Sequence, residues 1–395
     1  MSYLSRVIER LYLNWSIRRQ SSQRRSVKRA LVYLFVAIWL LMPQLANAET
    51  DARPVRGVWV ANVGTPTLAS VQGIHDFVNL ADRCGINTLY VVVWNRGMTT
   101  YPSEIMLRET GKAVDPRYHD FDMLKEMVDA AHAKGIRVIA WFEFGFSCSY
   151  QEPDGGWLIR KYPDWAALDV EGKLVSKDGF QWMNGMRPEV QDFVLSLLKE
   201  ILTNYDVDGV QGDDRLPACP STGGYDPWTV ELYKQQHDGK EPPENHRDPA
   251  WIDWRANVLN QFMGRMYREL KETRPDAVVS AAPSIYSWCK QEYLQDWPIW
   301  IENGWVDEVC PQVYRAEVAV YESELRKIVD QFVAPQYHHL LSPGILVLTA
   351  DGDYNPIERL QGMVDANRAA GLQGEVFFYD AALQKHRSFF ESLYK

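Results

Sequence analysis

The sequence predicts an α/β protein that consists of one (β/α)8 TIM barrel, a single domain spanning residues 54–385. From residue 56 onward, eight short apolar runs typical of buried strands alternate with segments of helical periodicity. The connections that enter these runs are short, whereas those that leave the second, third and fourth are long, as at the catalytic face of a barrel. An open doubly wound sheet is the alternative, but no Gly-rich phosphate loop follows the first run.

The predicted strands share a length of about five to eight residues and a high content of apolar and β-branched side chains. They are, in chain order, Gly57–Val63, Thr88–Trp94, Arg137–Phe144, Val207–Asp213, Val278–Ala282, Glu308–Tyr314, Gly344–Leu348 and Glu375–Tyr379. Between them apolar residues recur at helical spacing, as at Val190, Val194 and Leu197. Residues 386–395 are expected to form the end of a C-terminal helix.

The three long connections are rich in aromatic residues. They cover Asn95–Asp120, Gly145–Met186 and Arg215–Ala250, and tryptophans in or beside them are Trp157, Trp165, Trp182, Trp228 and Trp251. Flat aromatic faces with polar edges suit sugar rings, whose C–H patches stack on them. The alternative is that many of these side chains simply pack the loops against the barrel.

The N-terminal 48 residues have the pattern of an export signal. A basic region precedes an apolar run of about 13 residues at positions 30–42, and Ala46-Asn47-Ala48 follows as a cleavage site. The run is short for a membrane span, which needs about 20 residues, although an uncleaved anchor remains an alternative. The protein is therefore expected in the periplasm or outside the cell, with membrane attachment only through a retained leader.

Charge and cysteine content exclude several classes of partner. Of the 42 basic and 52 acidic residues, 8 and 1 lie in residues 1–48, which leaves 34 against 51 and a formal net charge of −17. Such a surface repels nucleic acid and anionic lipid, so neutral or cationic substrates fit better. The five cysteines lack metal-ligand spacing, and we expect neither a metal nor another cofactor. One disulfide among Cys148, Cys219 and Cys289 and free buried thiols are both compatible with the sequence.

Strand parity selects the carboxylates that face the interior of the barrel. In the third strand every second residue from Val138 to Phe144 is apolar, and this face is expected to pack against the helices. The other face, which includes Trp141 and Glu143, then points into the barrel. In the fourth strand Gln211 and Asp213 face inward by the same alternation, and Asp214 points away toward a neighbouring loop. Glu143 and Asp213, on adjacent strands, are therefore predicted to share one site.

Two carboxyl groups that flank a sugar are the requirement for glycoside hydrolysis. One donates a proton to the leaving oxygen, and the other is charged and attacks the sugar or activates water. Asp213 is the first catalytic candidate and Glu143 the second; alternatively, Glu143 pairs with Arg96 and only holds the loops. At the ends of the second, fifth and sixth strands, the side chains of Asn95, Arg96, Tyr286, Gln312 and Tyr314 are placed to bind hydroxyl groups.

The ordered motifs of residues 54–385 resemble the glycosyl hydrolase-like 10 family. They include Arg56-Gly-Val-Trp59, Tyr101-Pro-Ser103, Trp182-Met-Asn184, Asp208-Gly-Val-Gln-Gly-Asp-Asp214 and Pro311-Gln-Val-Tyr-Arg315. The resemblance implies a (β/α)8 barrel, export, glycosidase activity that in some members cleaves cell-wall glycan strands, and an active site containing Asp213 and Asp214. It adds Trp182 and Asn184 to the predicted substrate-binding residues.

The chain departs from the family pattern around this acidic pair. Gly212 stands where a bulky apolar residue is common, and Arg215 where an aromatic residue or histidine is common. The two functional hypotheses are an exported hydrolase of an envelope or extracellular glycan, with peptidoglycan strands as the leading substrate, and a non-catalytic glycan-binding protein. A hydrolase of α-glucans is a third interpretation.

Overall fold

Eight parallel strands form a closed barrel in the computed structural model, which describes residues 54–349 and 352–395. The strands are β1 (Arg56–Val60), β2 (Thr88–Val92), β3 (Arg137–Phe142), β4 (Gly209–Gly212), β5 (Val278–Ala281), β6 (Glu308–Val309), β7 (Gly344–Leu346) and β8 (Glu375–Phe378). They pair in chain order from β1 to β6, and β8 lies between β1 and β7.

Two isolated bridges close the sheet between β6 and β7. Val309 pairs with Leu341 and Gln312 with Gly344, both in the parallel sense. The backbone N–H of Gly344 donates to the carbonyl of Pro311 at 2.8 Å, and that of Ser342 donates to the carbonyl of Val309 at 2.9 Å. The prediction of a (β/α)8 barrel is therefore confirmed, and the open doubly wound sheet is excluded.

Helices cover the outside of the barrel. They are α1 (Val71–Arg83), α2 (Met123–His132), α3 (Pro188–Asn204), α4 (Pro249–Thr273), α5 (Trp297–Glu302), α6 (Val318–Lys327), α7 (Ile357–Ala369) and α8 (Arg387–Leu393). Side chains satisfy the free N–H groups where several of them begin: Ser70 accepts from Gly73 at the start of α1, and Asp248 accepts from Ala250 and Trp251 at the start of α4. Ser and Asp are preferred at this position because their side-chain oxygens can accept from these N–H groups.

Alternate strand residues fill the interior of the barrel, and this parity determines which side chains reach the carboxyl end. The indole of Trp59 donates to the side-chain oxygen of Gln211 at 2.8 Å, and its ring centroid lies 6.4 Å from that of Trp141. The amide of Gln211 in turn donates to Ser280 at 2.9 Å. Because Trp141 and Gln211 point inward, the residues two positions later, Glu143 and Asp213, follow them at the end of the barrel.

The three longest connections leave β2, β3 and β4, as predicted. They contain short elements of their own, including the helices Gly156–Lys161 and Pro227–Gln236 and a three-stranded antiparallel sheet of Ser147–Tyr150, Ser176–Lys177 and Phe180–Trp182. This sheet brings residues 176–182 to the carboxyl end of β4.

The predicted export signal, residues 1–48, lies outside the described residues. Within residues 54–349 and 352–395, no helix has the length and apolar character needed to cross a membrane. All five cysteines are buried free thiols, so the predicted alternative of a disulfide among Cys148, Cys219 and Cys289 is not formed.

Candidate active site

Asp213, Asp214 and Arg215 form an ion-pair cluster where β4 ends. Arg215 reaches both neighbouring carboxylates, with one guanidinium nitrogen 3.1 Å from an oxygen of Asp213 and another 3.0 Å from an oxygen of Asp214. Its Nε donates to the backbone carbonyl of Glu143 at 2.9 Å. The Arg215 side chain is only 14% exposed, so a single buried cation joins the ends of β3 and β4.

Glu143 lies beside this cluster at the end of β3. The amide of Asn95, shortly after the end of β2, donates a hydrogen bond to its carboxylate. Arg96 does not form an ion pair with Glu143; its guanidinium is exposed and lies 5.4 Å from the ring centroid of Tyr150. The alternative in which Glu143 only pairs with Arg96 is therefore not what the structure shows.

Burial determines the electrostatics of all three carboxyl groups. It raises the pKa of Asp213 well above the usual range, and the charge of Asp214 adds to the increase. Burial also raises the pKa values of Asp214 and Glu143, which the positive charge of Arg215 partly offsets. Because three carboxyl groups at least partly removed from solvent feel the charge of one guanidinium, the cluster is suited to holding a proton on one carboxyl while another is charged.

The loop after β4 folds back against β3, and two glycines make this possible. A Cβ atom at Gly145 would overlap the carbonyl oxygen of Arg215, and one at Gly212 would overlap that of Leu216. The N–H of Phe146 donates to the Arg215 carbonyl at 2.9 Å, and the Arg215 guanidinium lies 4.5 Å from the ring centroid of Phe180. Glycine is therefore required at position 212 because the backbone that follows Arg215 packs directly against it.

We expect Gly145→Ala to destabilise the fold more than Gly135→Ala. Both glycines have positive φ, +49° and +67°, so alanine costs about 1–2 kcal/mol at either position. At Gly135 nothing lies near the added carbon, whereas at Gly145 the overlap with Arg215 adds roughly 1–3 kcal/mol. Urea denaturation measures both losses, and equal losses would contradict the importance of this contact.

Gln312 and Tyr314 reach the cluster from the chain that follows β6. The amide of Gln312 donates to Asp213 at 2.6 Å and to the carbonyl of Ala282 at 2.9 Å. The Tyr314 hydroxyl has no hydrogen-bond partner among the described residues, and burial, followed by the charges of Asp213 and Asp214, raises its pKa well above the usual range. Its neutral hydroxyl can therefore donate to a substrate oxygen beside the carboxylates.

Three other residues predicted to bind substrate instead contact protein side chains from other segments. Trp182 is 1% exposed and packs on Tyr293, with ring centroids 5.8 Å apart. The buried Asn184 amide donates to Asp226 and Thr229, at 2.8 Å each. The Tyr286 hydroxyl donates to Asp296 at 2.9 Å. Among the described residues, these three side chains make no hydrogen bond to the carboxyl cluster: Asn184 and Tyr286 have other protein partners, and Trp182 is covered by Tyr293.

A cleft of about 360 Å³ beside the cluster adds Trp288, which was not among the residues predicted from the sequence, to the candidate site. It is lined by Ser284, Ile285, Trp288, Gln312, Tyr314 and Arg315. Trp288 is 47% exposed and is the most exposed tryptophan of the described chain. Trp288 lies in the short helix Trp288–Tyr293 after β5, outside the three long connections that are rich in aromatic residues. The sequence therefore contained no signal that pointed to it.

The hairpin in the connection that leaves β3 contributes a fourth carboxylate. Asp178 accepts from the Tyr293 hydroxyl at 2.8 Å, and its charge helps to raise the pKa of Asp214, behind the larger effect of burial. No group of three or more His, Cys, Asp or Glu side chains in residues 54–349 and 352–395 has an arrangement that could hold a metal ion. The site thus combines closely spaced carboxyl groups, a neutral hydroxyl and an exposed indole.

Comparisons with known proteins identify the family. The model of the family described as "Glycosyl hydrolase-like 10" matches residues 54–341. "Glycosyl hydrolase DigH" of Escherichia coli K12 is 27% identical over 313 residues, which are 68% of this chain and 67% of that protein. "Glycosyl hydrolase YngK" of Bacillus subtilis is 26% identical over 329 residues, 74% of this chain and 60% of that protein.

Solved structures agree on the fold. The glycoside hydrolase domain of PgaB (BpsB) from Bordetella bronchiseptica superposes with a TM-score of 0.65 at 13% identity, covering 86% of this chain and 99% of that domain. At this identity the likeness concerns the barrel alone, whereas the family match covers most of the chain and confirms the prediction of a glycoside hydrolase. The chain therefore belongs to the glycosyl hydrolase-like 10 family.

Proposed function

We propose that this protein is an exported glycoside hydrolase that cleaves O-glycosidic bonds of a bacterial envelope or extracellular glycan, with the glycan strands of peptidoglycan as the leading substrate. The observation that supports the proposal most directly is the group of Glu143, Asp213 and Asp214 at the carboxyl end of the barrel, where one largely buried guanidinium pairs with both aspartates and bonds the Glu143 backbone. Buried carboxyl groups are costly, and their concentration in a cleft is typical of catalytic sites.

In the proposed mechanism Asp213 is the charged carboxylate, although burial and the charge of Asp214 raise its pKa, because three donated hydrogen bonds hold its ionised form. It accepts hydrogen bonds from Gln312 at 2.6 Å, from Arg215 at 3.1 Å and from the backbone N–H of Asp214 at 2.8 Å, all of which favour its ionised form over the protonated form. It attacks the anomeric carbon or takes a proton from the attacking water.

Glu143 is the proposed proton donor. Burial raises its pKa, and among the described residues only the Asn95 side chain donates to its carboxylate, whereas Asp213 accepts three hydrogen bonds. It gives its proton to the leaving glycosidic oxygen, so that the departing sugar leaves as a neutral alcohol. Asp214 holds Arg215 in place and acts as a positioning residue.

Export is a proposal that rests on the leader pattern of residues 1–48. Sequencing the N-terminus of the mature protein tests it: a chain that begins after Ala48 agrees with a cleaved signal, and a retained leader on the envelope fraction agrees with an anchor. A chain that keeps its leader in the soluble cytosolic fraction contradicts export.

The substrate is tested by the release of reducing ends from a panel of glycans. We expect release from peptidoglycan strands stripped of their stem peptides, and loss of that release in Asp213→Asn. Binding to these strands without product from any glycan would favour the non-catalytic glycan-binding protein. Release from α-glucan alone would favour the α-glucan hydrolase instead.

A further inference from the structure

The cleft beside the catalytic cluster has one charged lining residue among the described part of the chain, Arg315. Its other lining residues are the apolar Ile285, the indole of Trp288 and the neutral polar side chains of Ser284, Gln312 and Tyr314. A cleft that binds only neutral sugars needs aromatic faces and neutral hydrogen-bonding groups. The guanidinium is therefore the feature of this cleft that a neutral substrate does not account for.

The Arg315 guanidinium makes few polar contacts with the described residues of the protein. Among the described residues its side chain makes one hydrogen bond, from Nη1 to the carbonyl of its neighbour Tyr314 at 2.8 Å. Its nearest carboxylate, Glu324, is 3.9 Å away, and that carboxylate lies closer to Lys327, at 3.2 Å. With 31% of the side chain exposed, an ion pair at 3.9 Å contributes little. Most of the five N–H donors of this guanidinium therefore remain available to a ligand.

Two other cations near the cleft are already paired. Arg215 is bound between Asp213 and Asp214. Lys177, near Trp288, is 2.6 Å from a carboxylate oxygen of Glu292 and lies 4.2 Å from the ring centroid of Tyr293. Arg315 therefore has more free hydrogen-bonding capacity than either of these two neighbouring cations.

We propose that Arg315 binds a carboxylate carried by a sugar of the substrate, and that this subsite selects glycans with acidic substituents. The inference rests on the proposed glycan-hydrolase function and names the substrate class of the same site. Trp288 supplies the aromatic face for the ring, Tyr314 reaches toward the catalytic carboxylates, and the guanidinium takes the carboxylate in the paired geometry that arginine favours. The acidic surface of residues 49–395 repels anions as a whole, so selection must come from this local cation.

One polymer in two charge states tests the proposal. Peptide-free peptidoglycan strands with free carboxylates are compared with the same strands after their carboxylates have been converted to amides, and kcat/KM is measured by the release of reducing ends. Wild type is expected to prefer the acidic strands. Arg315→Gln should lower kcat/KM on these strands about 10- to 100-fold and change it little on the amidated strands. Arg315→Lys should retain part of the preference.

Trp288→Ala is the matched control, because stacking on an indole does not depend on the charge of the substituent. It should lower kcat/KM on both forms of the strand by a similar factor. Equal rates of wild type on the two forms, or an equal loss on both in Arg315→Gln, would overturn the proposal.

A binding measurement separates this inference from the proposed function. If neither form of the strand is cleaved, the proposed function fails, and the subsite is judged by calorimetric titration of wild type and Arg315→Gln with N-acetylmuramic acid and N-acetylglucosamine. Tighter binding of the acidic sugar that disappears in the variant supports the subsite. Equal binding of the two sugars by wild type contradicts it.

Discussion

Asp213→Asn is expected to lower kcat/KM on the cleaved glycan by about 10²- to 10⁴-fold, the usual contribution of a positioned acid–base group. Asparagine keeps the shape of the side chain and its contact with Gln312, but it cannot carry the negative charge that the reaction requires at this position. The measurement is the initial rate of reducing-end release at several substrate concentrations. Circular dichroism of the variant should match wild type, since the loss is chemical.

Two neighbouring variants serve as controls for Asp213→Asn. Asp214→Asn should lose less activity, because Asp214 acts through Arg215. Glu143→Gln should lose activity on natural glycans but keep much of it on aryl glycosides whose leaving group needs no proton. If Asp213→Asn retains wild-type activity while Asp214→Asn does not, the two aspartates have the reverse of the roles assigned to them.

Arg215→Gln should move the pH–activity profile to higher pH by about 1–3 units, in addition to lowering its maximum. The positive charge of Arg215 lowers the pKa values of Asp213, Asp214 and Glu143, against the larger effect of burial. Without it, Asp213 keeps its proton to higher pH, so the acidic limb of the profile moves up. Glu143 also holds its proton to higher pH, and the alkaline limb moves in the same direction.

Two control variants distinguish the loss of the Arg215 charge from the loss of its hydrogen-bond geometry. Arg215→Lys keeps the charge but loses the paired hydrogen bonds, so its profile should stay near that of wild type while its maximum falls. Arg96→Gln removes an exposed cation whose effect on Glu143 is small and should leave the profile nearly unchanged. A profile of Arg215→Gln with unshifted limbs would show that Arg215 does not tune these carboxyl groups.

The barrel could be predicted from the sequence because its signals are local and repeated. Each of the eight apolar runs contains or overlaps an observed strand, from Arg56–Val60 to Glu375–Phe378. The observed strands are shorter at their ends, as at β6, where Glu308–Val309 replaces the predicted Glu308–Tyr314. Pro311 has no backbone N–H for the ladder, and beyond it only isolated bridges continue the pairing.

The substrate-binding residues were harder to predict because exposure is decided by contacts between distant segments. Trp182 and Trp288 have the same side chain, yet one is 1% exposed and the other 47%. Trp182 is covered because residues 176–182 return to Tyr293, more than one hundred positions later in the chain. Periodicity within either segment contains no information about that contact.

The sequence by itself determined the barrel, its long catalytic-face connections and the inward direction of Glu143 and Asp213, because strand alternation is a local property of the chain. Only the tertiary structure decided that the chain after β4 folds back over Gly145 and places Arg215 between two carboxylates. It also decided that Arg315 and Trp288 share one cleft. The physical reason is that burial and charge pairing depend on distances between side chains from different strands, which the order of residues does not specify.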